Sequence, residues 1–259
     1  MARLPRIVIP NQPLHIMHRG NNRQDIFKSE EDLTRIKDDI EHSLLKSGCS
    51  LHAYAIMTNH VHLLVTPENK EQLAVFMQSI ANRYVRYFNA QNNRTGTIWE
   101  GRFKSCLVDS EHYLFALYKY IELNPIKAGM VKNLADYKWS SYAHNALGQE
   151  DSLISEHALY KALGADSRQR YKSYQKLFDT LDLTAQEHLI TEATMRGDVY
   201  GTNDFHEKIR RLVSRATRLT THGGDRKSEA YRDQAGLYFD LTCQIPDMSI
   251  SIAPRISYR

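Results

Sequence analysis

Cysteine is scarce in this chain. Cys49, Cys106 and Cys243 are odd in number and far apart. They exclude a disulfide framework and a Cys-x-x-Cys metal ribbon, and they point to a reducing compartment. Long apolar runs are missing too: no stretch reaches the roughly 20 residues of a membrane helix. The opening MARLPRIVIPNQPLHIM lacks the extended apolar region of a secretory signal. A cytoplasmic location without a membrane partner is therefore expected. Net charge is also small, at +4, so the chain is not a uniformly basic polyanion binder and the placement of charge matters more than its sum.

What is present is an ordinary globular composition, 42% hydrophobic and 25% charged over 259 residues, enough for one core or one core plus a smaller module. Basic residues gather in two places. Arg83, Arg86, Arg94, Arg102 and Lys104 face Glu100 alone between positions 83 and 104. Arg210, Arg211, Arg215, Arg218, Arg226 and Lys227 outnumber the acids between 207 and 233. Each segment alone fits a solvated helix face as well as a nucleic-acid surface.

Periodicity predicts the element order. LHIMHRGNN reads as a strand entering a turn at Gly20–Asn22. A helix follows from a Ser29 cap to a Gly48 stop, with Leu33, Ile36, Ile40, Leu44 and Leu45 following the helical period. CSLHAYAIM and HVHLLVTP are two strands, KEQLAVFMQSIANRYVRYFNAQN a helix, and GTIWEGRFKSCLVD a strand. SEHYLFALYKYIELNP is a helix with a Ser110 cap, ended or kinked at Asn124-Pro125. Strand, helix, strand, strand, helix, strand, helix is the order of an α+β, ferredoxin-like, two-layer domain with an antiparallel sheet. That domain is assigned to residues 1–147. A mainly helical accessory region at 148–219, a candidate for DNA contacts, and a tail at 220–259 without clear periodicity complete the organisation.

MTNHVHLLVTP, residues 57–67, carries His60 and His62 inside an apolar strand. At i and i+2 both rings leave the same face and can converge on one ion, while Val61 and Leu63 enter the core. Twelve histidines give roughly half a His-x-His pair by chance in a chain this long, so the pair alone is read as a packed or surface arrangement ahead of a metal site. Tyr120 and Asn124 share one face of the third helix. In isolation Tyr120 reads as an amphipathic core residue.

Taken together, HRGNNRQDIF, MTNHVHLLVTP, IWEGRFKSCLV, YKYIELNPIKAGMV and WSSY resemble, in that order over about residues 7–147, the single-tyrosine HUH (IS200-like) transposases. Within that family they resemble most the REP-associated tyrosine transposases. The resemblance implies a strand bearing His60 and His62 as metal ligands and a helix bearing Tyr120 as nucleophile. It also implies Asn124 as third metal ligand, where relatives often carry glutamine. The implied cofactor is Mg²⁺ or Mn²⁺. The implied activity is cleavage and joining of single-stranded DNA at hairpin-containing repeats through a 5′-phosphotyrosine, as in DNA transposition and recombination.

Arg19, Asn22, Arg23, Arg83, Arg86, Arg102 and Lys104 are the candidate DNA contacts, with Tyr84, Tyr87 and Trp99 read as stacking or core residues. A homodimer is compatible with the sequence and not specified by it. Two other readings stay open: a DNA- or RNA-binding regulator on the same fold without catalysis, and a hydrolase in which the histidines serve an activated water.

Overall fold

The computed structural model describes residues 5–213 and 215–218. Arg226, Lys227 and the 220–259 tail lie outside them. Strands β1 (Leu14–Arg19), β2 (Ser50–Ile56), β3 (His60–Thr66), β4 (Lys104–Val108) and β5 (Val199–Tyr200) form one sheet in the order β2-β3-β1-β4-β5. The helices are α1 (Glu30–Ser47), α2 (Lys70–Gln91), α3 (Ser110–Lys127), α4 (Tyr142–Leu147), α5 (Ala158–Lys161), α6 (Ser167–Thr180), α7 (Gln186–Arg196) and α8 (Asn203–Leu212). The first four strands pair antiparallel, with β1 flanked by β3 and β4. Two β-α-β units interlocked in this way make the expected ferredoxin-like sheet.

Local chemistry sets the helix ends. Ser29 and Asn69 each accept from the backbone three residues on, and Asp32 and Gln72 reach back, so α1 and α2 both open on capping boxes. Gly48 closes α1 in the left-handed region at φ 73°. Leu45, counted in the apolar period of that helix, is exposed. The third helix departs from expectation: Asp109, not Ser110, is its cap. The Asp109 carboxylate accepts instead from His112 Nδ1 and Thr202 Oγ1, both at 3.0 Å, which ties α3 to the start of α8.

Alternation divides the sheet between two cores. Leu14, Ile16, Val61, Leu63, Val65 and Leu107 face α1 and α2 with Ile36, Ile40, Phe76 and Tyr84. Ala53, Ala55, Leu64, Cys106 and Val108 face the other way, into a core with α3, α6 and α7. There α3 is buried on nearly all sides, including Leu114, Leu117, Tyr118 and Ile121, because the sheet covers one flank and later helices the other. The helices beyond residue 148 thus share the core of the second sheet face. Two strand readings need correction. Only Lys104–Val108 of the GTIWEGRFKSCLVD segment is a strand, since the chain turns at Gly101 (φ 65°). The region after 148, read as strandless up to its end, contributes β5, parallel to β4. Two residues are too few for alternation to reveal.

Glu122 on α3 is fully buried and accepts from Ser141 Oγ (2.6 Å), Asn145 Nδ2 (2.8 Å) and Tyr174 Oη (2.7 Å). This joins the WSSY segment and α6 to α3. Burial raises its carboxyl to about 7 despite the three donors. The unfolded group ionises near 4.5, so folding favours the protonated form, and the associated stability is lost as pH rises from about 4.5 to about 7. The difference corresponds to about 3 kcal/mol. Urea melts between pH 4.5 and 8 are expected to show that decline in wild type and a flatter profile in Glu122→Gln.

Candidate active site

On β3 the side chains of His60 and His62 leave the sheet on the face opposite Val61 and Leu63, as the i, i+2 spacing requires. The two Nε2 atoms stand 3.0 Å apart. His62 is buried and His60 half-buried. Burial, followed by repulsion from neighbouring cations, holds both imidazoles neutral: His60 is lowered to about 4 and His62 well below its usual value. His60 Nδ1 lies 2.6 Å from Asn59 Oδ1, whose amide is oriented by Nδ2 donating to the Arg23 carbonyl at 2.9 Å. A carbonyl oxygen only accepts, so His60 carries its proton on Nδ1 and presents a lone pair at Nε2.

A divalent cation fits this pair. Two nitrogens each about 2.1 Å from one ion and at right angles are about 3.0 Å apart. Neutral rings offer the lone pairs an ion needs, and each ring has a partner on its other nitrogen, as metal-binding histidines do. His62 Nδ1 meets His15 Nε2 at 2.9 Å. Among the described residues no three His, Cys, Asp or Glu side chains gather as a metal cage.

Tyr120 reaches the same place from α3. Its ring stands edge-on to His62 and His15, with centroids 5.8 Å and 5.5 Å away. The residue is only 8% exposed. Its hydroxyl is 3.1 Å from Thr191 Oγ1 of α7. Thr191 gives its own proton to the Glu187 carbonyl (2.8 Å), so the tyrosine donates. Burial raises the phenol's affinity for its proton. Lys127, two turns on, lies 5.2 Å over the Tyr120 ring and pairs with Glu187 of α7.

Asn124 has a second occupation. Of the two outcomes expected at Asn124-Pro125, an end is excluded: the helix runs through Pro125 to Lys127. Proline lacks the N–H that would bond Ile121 O; Asn124 Nδ2 takes its place at 3.2 Å and also donates to Tyr120 O at 2.8 Å. The amide group is thus held against its own helix, with Oδ1 as its remaining acceptor. Among the described residues no hydrogen bond joins it to His60 or His62.

The candidate DNA contacts separate into two groups. Arg19 pairs with His60 across β1 and β3, and Lys104 follows Met17 in the row that starts at His62, so both lie on the histidine face. Arg19 also holds Glu100 at 2.6 Å. Asn22 and Arg23 are exposed in the turn stitched to Asn59, both left-handed at φ 54° and 57°. Arg102 is exposed just before β4. Arg83 and Arg86 lie instead on α2, in the layer against the opposite sheet face. Arg83 is engaged with buried Asp39 of α1 at 2.7 Å. Tyr84 is core, its hydroxyl donating to Ile26 O, Tyr87 reaches Asp32, and Trp99 stacks on His18 with centroids 4.1 Å apart. His15, Asn59, Lys127, Thr191 and Thr194 were not singled out from sequence, although a His-x-x-His in LHIMHRG was available as a signal for His15.

Gly20 secures the turn beside this site. Its φ of −68° is ordinary; space is what demands glycine. A Cβ there would stand 2.8 Å from Gln24 O and 2.8 Å from Ile26 Cγ2. Gly20→Ala is expected to cost about 1–3 kcal/mol in urea unfolding and to displace Asn22 and Arg23.

Comparison with known proteins places part of the chain. Residues 9–124 match the family model described as "Transposase IS200 like". A Haemophilus influenzae protein named a REP-associated tyrosine transposase is 30% identical over 100 residues, covering 35% of this chain and 57% of that relative. The aligned region therefore spans little more than half of the relative's length. A solved REP-associated tyrosine transposase bound to a REP hairpin gives a TM-score of 0.49 at 17% identity, over 61% of this chain and 99% of that one. A transposase structure from Deinococcus radiodurans R1 gives 0.33 at 23% identity, over 47% and 96%. Over residues 9–124, from just before β1 into the last turn of α3, the chain is similar to the IS200-like transposases.

Proposed function

We propose that this protein is a transposase-type enzyme that cleaves and rejoins single-stranded DNA, at hairpin-forming repeats, through a covalent link to Tyr120. The observation that carries this reading is the meeting of His60 Nε2 and His62 Nε2 at 3.0 Å beside the Tyr120 ring, inside a segment that matches the transposase family model. His60 and His62 would hold a divalent cation, Mg²⁺ or Mn²⁺, with the Asn124 side-chain oxygen as candidate third ligand. When bound, the cation polarises the scissile phosphate and offsets transition-state charge.

The chain's own groups do the rest. Tyr120 Oη leaves Thr191 and attacks phosphorus; the P–O3′ bond breaks, the 3′ oxygen takes up a proton in place of the one the phenol loses, and the 5′ phosphate stays on the tyrosine. Because the phosphodiester's energy is kept in that link, an incoming 3′-hydroxyl can reverse the step without a nucleotide cofactor. Arg19, Arg23 and Lys104, on or next to the histidine face, would counter phosphate charge along the strand. Asn22 supplies a polar contact at the exposed turn. Arg83 and Arg86 are assigned to a more distant stretch of bound DNA, Arg83 at the expense of its bond to Asp39.

A denaturing gel tests this with labelled hairpin DNA taken from the gene's own flanks. Wild type with Mn²⁺ is expected to give an SDS-resistant adduct. Chelator and Tyr120→Phe should abolish it, and His60→Ala and His62→Ala should each reduce it by at least about 100-fold. Metal-dependent cutting that survives in Tyr120→Phe without an adduct would assign the histidines to an activated water. Binding without cutting would leave a regulator.

A further inference from the structure

His62 has a partner on each ring nitrogen, and one of those partners is controlled from outside the family segment. His62 Nδ1 is 2.9 Å from His15 Nε2. His15 Nδ1 is 2.8 Å from Thr194 Oγ1 of α7. Thr194 Oγ1 is 2.7 Å from the Ile190 carbonyl of the same helix. All three side chains are buried, at 1%, 4% and 2% exposure for His15, His62 and Thr194, so water does not substitute for a missing proton.

We propose that Thr194 is a positioning residue: acting through His15, it fixes the tautomer of His62 and keeps that ring's Nε2 lone pair open to a cation. The inference rests on the reading of His60 and His62 as cation ligands, and it names what holds them ready. The 2.7 Å contact from Thr194 Oγ1 to the Ile190 carbonyl selects between the two possible directions of this relay. A hydroxyl has one hydrogen, and at 2.7 Å from a carbonyl oxygen Thr194 must spend it there. Thr194 then accepts from His15 Nδ1–H. A neutral His15 with its proton on Nδ1 has a lone pair on Nε2, so His62 must donate Nδ1–H to it. His62 Nε2 is left bare, facing the bare Nε2 of His60 that Asn59 enforces.

Without the hydroxyl the direction can reverse. His15 freed from Thr194 can place its proton on Nε2 and donate to His62 Nδ1, which moves the His62 proton to Nε2. There it would donate to His60 Nε2 across the 3.0 Å gap. A proton would then occupy the position where a cation binds. Cys106, whose sulfur is 3.3 Å from Thr194 Oγ1, can serve that hydroxyl only as a weak donor, and so does not alter the count.

Thr194→Val removes the hydroxyl at nearly constant shape, and Thr194→Ser keeps it. Long-range ¹⁵N–¹H spectra of histidine-labelled, metal-free full-length protein read the tautomers directly. Wild type and Thr194→Ser are expected to hold His62 as the Nδ1–H form, and Thr194→Val to shift it toward Nε2–H. Mn²⁺ titration by calorimetry should show affinity falling about 10–100-fold in Thr194→Val and restored in Thr194→Ser. An Nε2–H His62 in wild type, or an unchanged tautomer in folded Thr194→Val, overturns the inference. If wild type takes up no Mn²⁺, the proposed function fails while the tautomer arm still decides the relay; if Thr194→Val does not fold, the wild-type tautomer and a His15→Phe spectrum decide it, since Phe removes the acceptor for His62 Nδ1–H.

Discussion

The pairing of His60 Nε2 and His62 Nε2, 3.0 Å apart on one face of β3, is the contact on which the rest of the site depends. Much of the surrounding structure serves this confrontation. Strand alternation sends both rings to one face, and the cross-strand neighbours on β1 supply His15 behind and Arg19 in front. Asn59 fixes one ring and the α7 relay the other. Burial removes the competing protonated forms, lowering His15 to about 3 and His60 to about 4.

The sheet's two faces divide the labour. Val61, Leu63 and Val65 with α1 and α2 make an apolar core that fixes β3 in register. The same register holds the polar row on the other face, so a one-residue slip would bury aliphatic side chains at the site and place both histidines in the α1–α2 core. On that second face α3 brings Tyr120, and α7 covers it through Thr191, Thr194 and Glu187. The site is therefore built partly by residues after 150, although the family match ends at 124.

Sequence reading reached what local rules govern. The Ser29 cap, the Gly48 stop, the element order and the common face of His60 and His62 follow from short-range periodicity and turn chemistry. Tyr120 and Asn124 entered as functional residues through resemblance, since spacing alone left Tyr120 a core residue. What stayed hidden is long-range. His15 and Thr194 are 179 positions apart, and no periodic signal joins them. Pro125 predicts an end or a kink in the helix; the helix does not end there, and the neighbouring Asn124 amide replaces the lost N–H. Arg83 looked free for phosphate because its partner Asp39 lies 44 residues away on another helix.

The central claim is that His60 and His62 bind one divalent cation together. Pulsed electron paramagnetic resonance of Mn²⁺ added to the full-length protein tests it most directly, because imidazole nitrogens bound to manganese modulate the electron spin echo. The expected spectrum carries two nitrogen couplings, with one lost in His60→Ala and one in His62→Ala. A bound Mn²⁺ signal without nitrogen modulation, or with modulation unchanged in both variants, would contradict the account.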